Sequence, residues 1–203
     1  MLLDNNIFSG KIVLLGFLYL HSFTSVVTAE KEKSAEIPKY EIVDKYITYA
    51  GATGDVLAYM SKPVKPGIWP AIIVIHDKDG INDEIEEITK VIASHGFYVI
   101  VPDGLSQISG TPDVHDFVVS SMDHVNYDST KRNFAAVIKF LEQDQSAKEK
   151  IGCVGFGWGK QLTRELADAY ERIIIPCFPM DKEEENQEEL LPRLLIFFKH
   201  NLK

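Results

Sequence analysis

The chain has 203 residues, 45% of them hydrophobic and 25% charged, a normal size for one domain with a single substantial core. Its formal net charge of −9 excludes a nucleic-acid partner held through phosphates, because that attraction needs a basic face. Two cysteines, Cys153 and Cys177, exclude a disulfide framework, and each lies in or beside an apolar run, where free thiols are usually buried.

In chain order, a polar head with Lys11 leads into an apolar stretch, Ile12 to Val27, interrupted by His21, Ser22, Thr24 and Ser25. Val27-Thr28-Ala29 then gives a small-x-small exit, and Glu30-Lys31-Glu32-Lys33 follows at once. This pattern predicts a signal peptide over residues 1–29 and a secreted or exported chain. The apolar stretch is shorter and more polar than the ~20 residues of a spanning helix, so an uncleaved anchor is the alternative. Residues 30–45 read as a polar lead-in, and residues 46–203 as one domain.

Within that domain Tyr46 to Ala50 and Val56 to Ser61 flank the turn Gly51-Ala52-Thr53-Gly54 and predict a β-hairpin. Short apolar runs follow at Ala71 to Ile75, Tyr98 to Val101, Ile151 to Gly155, Ile173 to Ile175 and Leu194 to Phe198. Several lack polar alternation, as strands buried on both faces do. Between them lie helical periodicities. Ile81, Ile85, Ile88 and Ile92 form the first, with Asn82 as N-cap and Gly96 as stop. Phe134, Val137, Ile138 and Leu141 form the second, and Leu162, Leu166, Ala169 and Tyr170 the third. The acidic run Asp181 to Glu189 reads as a solvated helix face or loop. Alternating strands and helices predict an α/β fold with a doubly wound, mostly parallel sheet and helices on both faces. Ligands of such sheets sit at the carboxyl ends of the strands, which singles out the loops after Ile75, Val101 and Val154.

The last of these loops reads Gly155-Phe156-Gly157-Trp158-Gly159-Lys160. A strand before it and a helix after it are the setting of a nucleophile elbow, whose central residue is held in strained geometry above the sheet. Here that residue is Gly157, which tolerates the geometry but has nothing with which to attack a carbonyl.

Val154 to Gly159 resembles the elbow of the dienelactone hydrolase family, which carries cysteine at the position of Gly157. His76-Asp77-Lys78-Asp79-Gly80-Ile81-Asn82 is similar to that family's histidine–glutamate loop, with Asp77 in the glutamate's place. Val101 to Ser106, with Gly110-Thr111-Pro112 beyond it, resembles the loop after the next strand. The resemblance covers about Tyr46 to Tyr170. It implies an α/β-hydrolase that opens lactones and related esters through an acyl-enzyme, using a cysteine–histidine–aspartate triad and a glutamate that helps control the thiolate. It implies an oxyanion hole made by the N–H groups of Lys78 and Trp158, a small ester or lactone ligand, and neither cofactor nor metal.

The departures fall on the catalytic positions. The nucleophile position is Gly157, the glutamate position is the shorter Asp77, and the acid position after Leu194 to Phe198 matches Asn201, which lacks the charge to stabilise a protonated histidine. The triad histidine should follow a further strand, and the sequence given ends at Lys203. These positions predict a weakly active or inactive pseudoenzyme lacking the fold's last strand and helix. The alternatives are an active hydrolase with a non-standard site, a truncated product, and a module binding a small molecule or protein. Leu194 to Phe198 would then be an exposed edge strand on which a partner chain could pair. Cys153, inside a strand, reads as inert, His76 as a strand end bonded locally, His95 as a helix-end residue, and His200 as no base. The spacing of Asp77, Asp79, Gly80 and Glu86 imitates part of a calcium loop, but leaves a strand rather than a helix.

Overall fold

The computed structural model describes residues 39–108, 124–176 and 187–202. The expected signal peptide, most of the polar lead-in, Gly110 to Pro112, Cys177 and most of the acidic run lie outside the described residues. In chain order the described elements are β1 (Ile42–Ala50), β2 (Asp55–Pro63), β3 (Trp69–Ile75), α1 (Asp83–Ser94), β4 (Tyr98–Pro102), α2 (Tyr127–Gln143), β5 (Ala147–Gly155), α3 (Gly159–Ala169), β6 (Ile173–Ile174) and α4 (Gln187–Asn201). They form one six-stranded sheet of order β1-β2-β4-β3-β5-β6. β1 and β2 are the expected hairpin, and β2 is also antiparallel to β4; the pairs β4–β3, β3–β5 and β5–β6 are parallel. β1 starts at Ile42, so the sheet begins inside the stretch expected to be lead-in.

The apolar runs sort by alternate residues into two cores. Ala71, Ile73 and Ile75 of β3, Tyr98 and Ile100 of β4, and Ile151 and Cys153 of β5 pack with Phe134, Val137, Ile138 and Leu141 of α2 and Leu162 and Leu166 of α3. Ile72, Val74, Val99, Val101 and Val154 face the other way, onto Ile85, Ile88 and Ile92 of α1 and Leu194, Leu195 and Phe198 of α4. The missing polar alternation follows, since each face of the central strands is roofed by a helix pair.

The helix starts follow from side-chain caps. Asn82 Oδ1 accepts from Ile85 N–H at 3.0 Å, and Asn126 Oδ1 accepts from Ser129 N–H at 3.0 Å. α1 ends at His95, with Gly96 next at φ +89°. The third periodicity holds only in part: Leu162 and Leu166 are buried, whereas Ala169 and Tyr170 are exposed.

One element differs in kind. Leu194 to Phe198, expected to be the last strand, lies inside the helix α4. Leu194, Leu195, Phe198 and Leu202 are buried while Ile196 is 61% exposed, a three-and-four spacing rather than alternation. Leu194 to Phe198 is therefore not the exposed edge strand expected to accept a partner chain, and among the described residues β6 borders the sheet on that side.

Candidate active site

The sheet order reverses at β3: β4 lies on one side of it and β5 on the other. The loops after β3 and β5 therefore meet at a topological switch point, where open α/β sheets place their ligands. Ile75 pairs with Gly155, and Phe156 N–H donates to Ile75 O at 2.9 Å, which sets His76 and Asp77 beside Gly157 and Trp158.

The glycine spacing of the elbow has a steric origin. A methyl group on Gly155 would lie 2.3 Å from Gly159 O, and one on Gly159 would lie 2.6 Å from Ile75 O. Only bare backbone lets α3 start so close to β3 and β5. Between them Gly157 sits at φ +44°, exposed, in the left-handed geometry expected of an elbow centre.

His76 is fully buried and committed at both ring nitrogens. Nε2 accepts from Gly104 N–H at 2.9 Å, so the ring proton is on Nδ1, which donates to Asp77 O at 2.6 Å. Burial lowers its pKa, and the bond to Asp77 O together with the carboxylates of Asp103, Asp77 and Asp79 offsets this only in part. The ring stacks on Trp158 at 6.2 Å between centroids and meets the edge of Phe134 at 6.4 Å. His76 is a neutral strut tying the end of β3 to the turn after β4.

The Asp77 carboxylate turns to the backbone. Its Oδ1 accepts from Lys78 N–H at 2.7 Å and from Trp158 N–H at 2.6 Å. These are the two donors assigned to the oxyanion hole, and they converge on one atom. Their geometry is that of an anion site at a helix start.

The profile of the Dienelactone hydrolase family matches residues 56–193, and so spans β2 to the middle of α4. The chain belongs to the dienelactone hydrolase family. It is 40% identical over 79 residues to the hydrolase fragment YghX of Escherichia coli, covering 37% of this chain and 68% of that one. It is 29% identical over 152 residues to the human carboxymethylenebutenolidase homolog, covering 72% of this chain and 61% of that protein. Across the curated relatives it matches, the chain spans 39% to 68% of their length. Among solved structures, a dienelactone hydrolase from Klebsiella pneumoniae superposes with a TM-score of 0.59 at 17% identity, over 66% of this chain and 57% of that one. At that identity the likeness is one of fold.

Asn201 lies in the last turn of α4, where its Nδ2 donates to Phe197 O at 2.8 Å. Its assignment to the acid position rested on a preceding strand, and falls with that strand. His200 is exposed in the same turn, beside Lys199. Cys153 is fully buried against Thr163, and burial pushes its thiol up to about 12. His95 Nδ1 bonds the Val91 carbonyl at 2.8 Å, as a helix-end residue does. In the loop resembling a calcium site, Asp77 and Asn82 both direct their side-chain oxygens to backbone N–H groups.

Sequence reasoning missed the aromatic wall of the site. Trp158 packs edge-on against Phe134 and Tyr127, at 6.4 and 6.1 Å, and Tyr127 OH donates to Glu165 Oε1 at 3.0 Å, linking α2 to α3. The signal for it was the indole of Trp158, directly after the elbow centre.

Proposed function

We propose that this dienelactone hydrolase domain retains the fold and backbone frame of an ester or lactone hydrolase without the hydrolytic step, and that it works after export. The carrying observation is Gly157: the elbow centre has its strained geometry and its exposure but no side chain. Attack on an acyl carbon needs a nucleophile and a base within hydrogen-bond reach. His76, the histidine of this site, has both nitrogens in use, and Cys153 is sealed in the core. What supports export is the charged head, apolar core and Val27-Thr28-Ala29 exit of residues 1–29.

The test is hydrolysis of an activated acetate ester and of a dienelactone by the purified chain. The expected rate is that of buffer with an equal mass of an unrelated protein. Turnover that co-purifies with the chain through two further columns, and disappears on heat denaturation, would overturn the reading.

A further inference from the structure

Two backbone donors from loops far apart in sequence aim at one point, and that point is an oxygen of the chain's own Asp77. Trp158 N–H reaches Oδ1 at 2.6 Å and Lys78 N–H reaches the same atom at 2.7 Å. Paired N–H groups at a helix start favour negative charge, and a carboxylate oxygen presents to them what an oxyanion would.

The same carboxylate fills a second space. A methyl group built on Gly157 would lie 2.0 Å from Asp77 Cγ, 2.0 Å from Oδ2 and 2.1 Å from Oδ1. The side chain absent from the elbow and the carboxylate of Asp77 therefore claim the same volume. Loss of a nucleophile does not by itself require this, since glycine alone would leave both the volume and the two donors to solvent.

We propose that Asp77 is a tethered ligand of the oxyanion site, and that the site beneath it takes a small monocarboxylate once that ligand is removed. The tether explains why the site is closed in the native chain. A carboxylate one methylene from the backbone is held at an effective concentration that a free acid in millimolar solution does not match. It also means that cysteine at position 157 is insufficient for a working thiol, because its Cβ meets the Asp77 carboxylate first. The inference rests on the reading of these loops as a hydrolase frame. Its readout is stability and not turnover, so ester hydrolysis by the native chain would sink that reading and leave this one standing.

Asp77→Ala leaves the two donors without their acceptor, and its melting temperature is expected to fall by several degrees. Sodium acetate should restore it along a saturating curve, while sodium chloride at the same ionic strength should not. The native chain and Asp77→Asn, whose amide oxygen still accepts both N–H groups, should show no acetate-specific shift. If Asp77→Ala is unfolded in plain buffer, the readout becomes acetate-dependent recovery of its helical circular dichroism. A second measurement uses the shared volume: Gly157→Ala should lower the melting temperature more in the native background than in Asp77→Ala, where only the left-handed backbone strain remains. An Asp77→Ala chain that responds identically to acetate and chloride, or a Gly157→Ala loss equal in both backgrounds, would overturn the proposal.

Discussion

At its two ring nitrogens His76 accepts from Gly104 N–H and donates to Asp77 O, so the folded protein binds its neutral form. Burial holds its pKa below the ordinary histidine value of ~6.5. The consequence for stability has a definite sign. Between ~6.5 and the lower folded pKa, the unfolded chain takes a proton that the folded chain refuses, so stability falls as pH falls through that window. The slope from this one group approaches about 1.4 kcal/mol per pH unit. Asp144, whose pKa burial raises but the Ser146 hydrogen bonds and Lys62 lower further, and Glu165, lowered by hydrogen bonds from Gln161, Lys131 and Tyr127, keep their contributions above the ordinary carboxylate range and lose them as pH falls through that range and the lowered folded values. Urea denaturation from pH 7.5 to 5 should show the slope, and His76→Gln should flatten it at the expense of stability at pH 7.5. An unchanged slope in that variant would mean that His76 is not the group responsible. At this scale the sequence was legible for residue type and not for direction. It showed that Gly157 has no nucleophile and that an acid stands at position 77, but which way a half-exposed carboxylate turns depends on two N–H groups that only the folded loops bring together.

Among elements, the strands β3, β4 and β5 and the helices α1 and α2 were legible because their signals do not compete: buried apolar runs of strand length, isoleucines at helical steps behind the Asn82 cap in α1, and Phe134, Val137, Ile138 and Leu141 at helical steps in α2. Leu194 to Phe198 misled because five apolar residues in a row fit a buried strand as well as a helix, and periodicity separates the two only through their flanks. Leu190, Leu191 and Leu202 extend the buried spacing on both sides and settle it as helical. The two assignments make opposite demands on Ile196. In a strand it would share a face with Leu194 and Phe198; in α4 it points to solvent. Phe198→Ala should therefore cost roughly 3–5 kcal/mol in denaturant titration, as deletion of a fully buried ring does, and Ile196→Ala less than about 0.5 kcal/mol. Similar losses at both positions would contradict the helix. The partner surface of Phe198 is equally specific. A methyl group on Gly152 of β5 would lie 2.6 Å from Phe198 Cε1, so Gly152→Ala should cost about 1–3 kcal/mol by overpacking, and much of that loss should disappear in the Phe198→Leu background.

Over the described molecule, a single sheet serves two cores. The leading hairpin, the mostly parallel sheet and the three loops that carry the site were legible from the alternation of strands and helices and from the resemblance to one family, whereas the order β1-β2-β4-β3-β5-β6 was not, because periodicity does not say which strands are neighbours. The sharing has a thermodynamic consequence. Ile73 and Ile75 belong to the core under α2 and α3, and Ile72 and Val74 to the core under α1 and α4, yet all four lie on the one strand β3. A strand cannot lose the packing of one face while keeping its ladder and the other face intact, because its backbone hydrogen bonds and both side-chain sets depend on the same conformation. The two cores should therefore unfold together, as small single domains do. Leu194→Ala, which removes packing only on the α1–α4 side, is expected to cost about 2–5 kcal/mol. By native-state hydrogen exchange its effect should reach the opposite face. The best-protected amides of α2 should lose the same free energy as those of β3 and β5, since all of them exchange through global opening. The edges should behave differently. β1 is exposed along most of its length and β6 has two residues, so their amides exchange through local openings and should change little. If protection in α2 is untouched while that of α1 and α4 collapses, the α1–α4 layer is a separate cooperative unit, and the sheet does not couple the face carrying the aromatic wall of the site to the face that closes with α4.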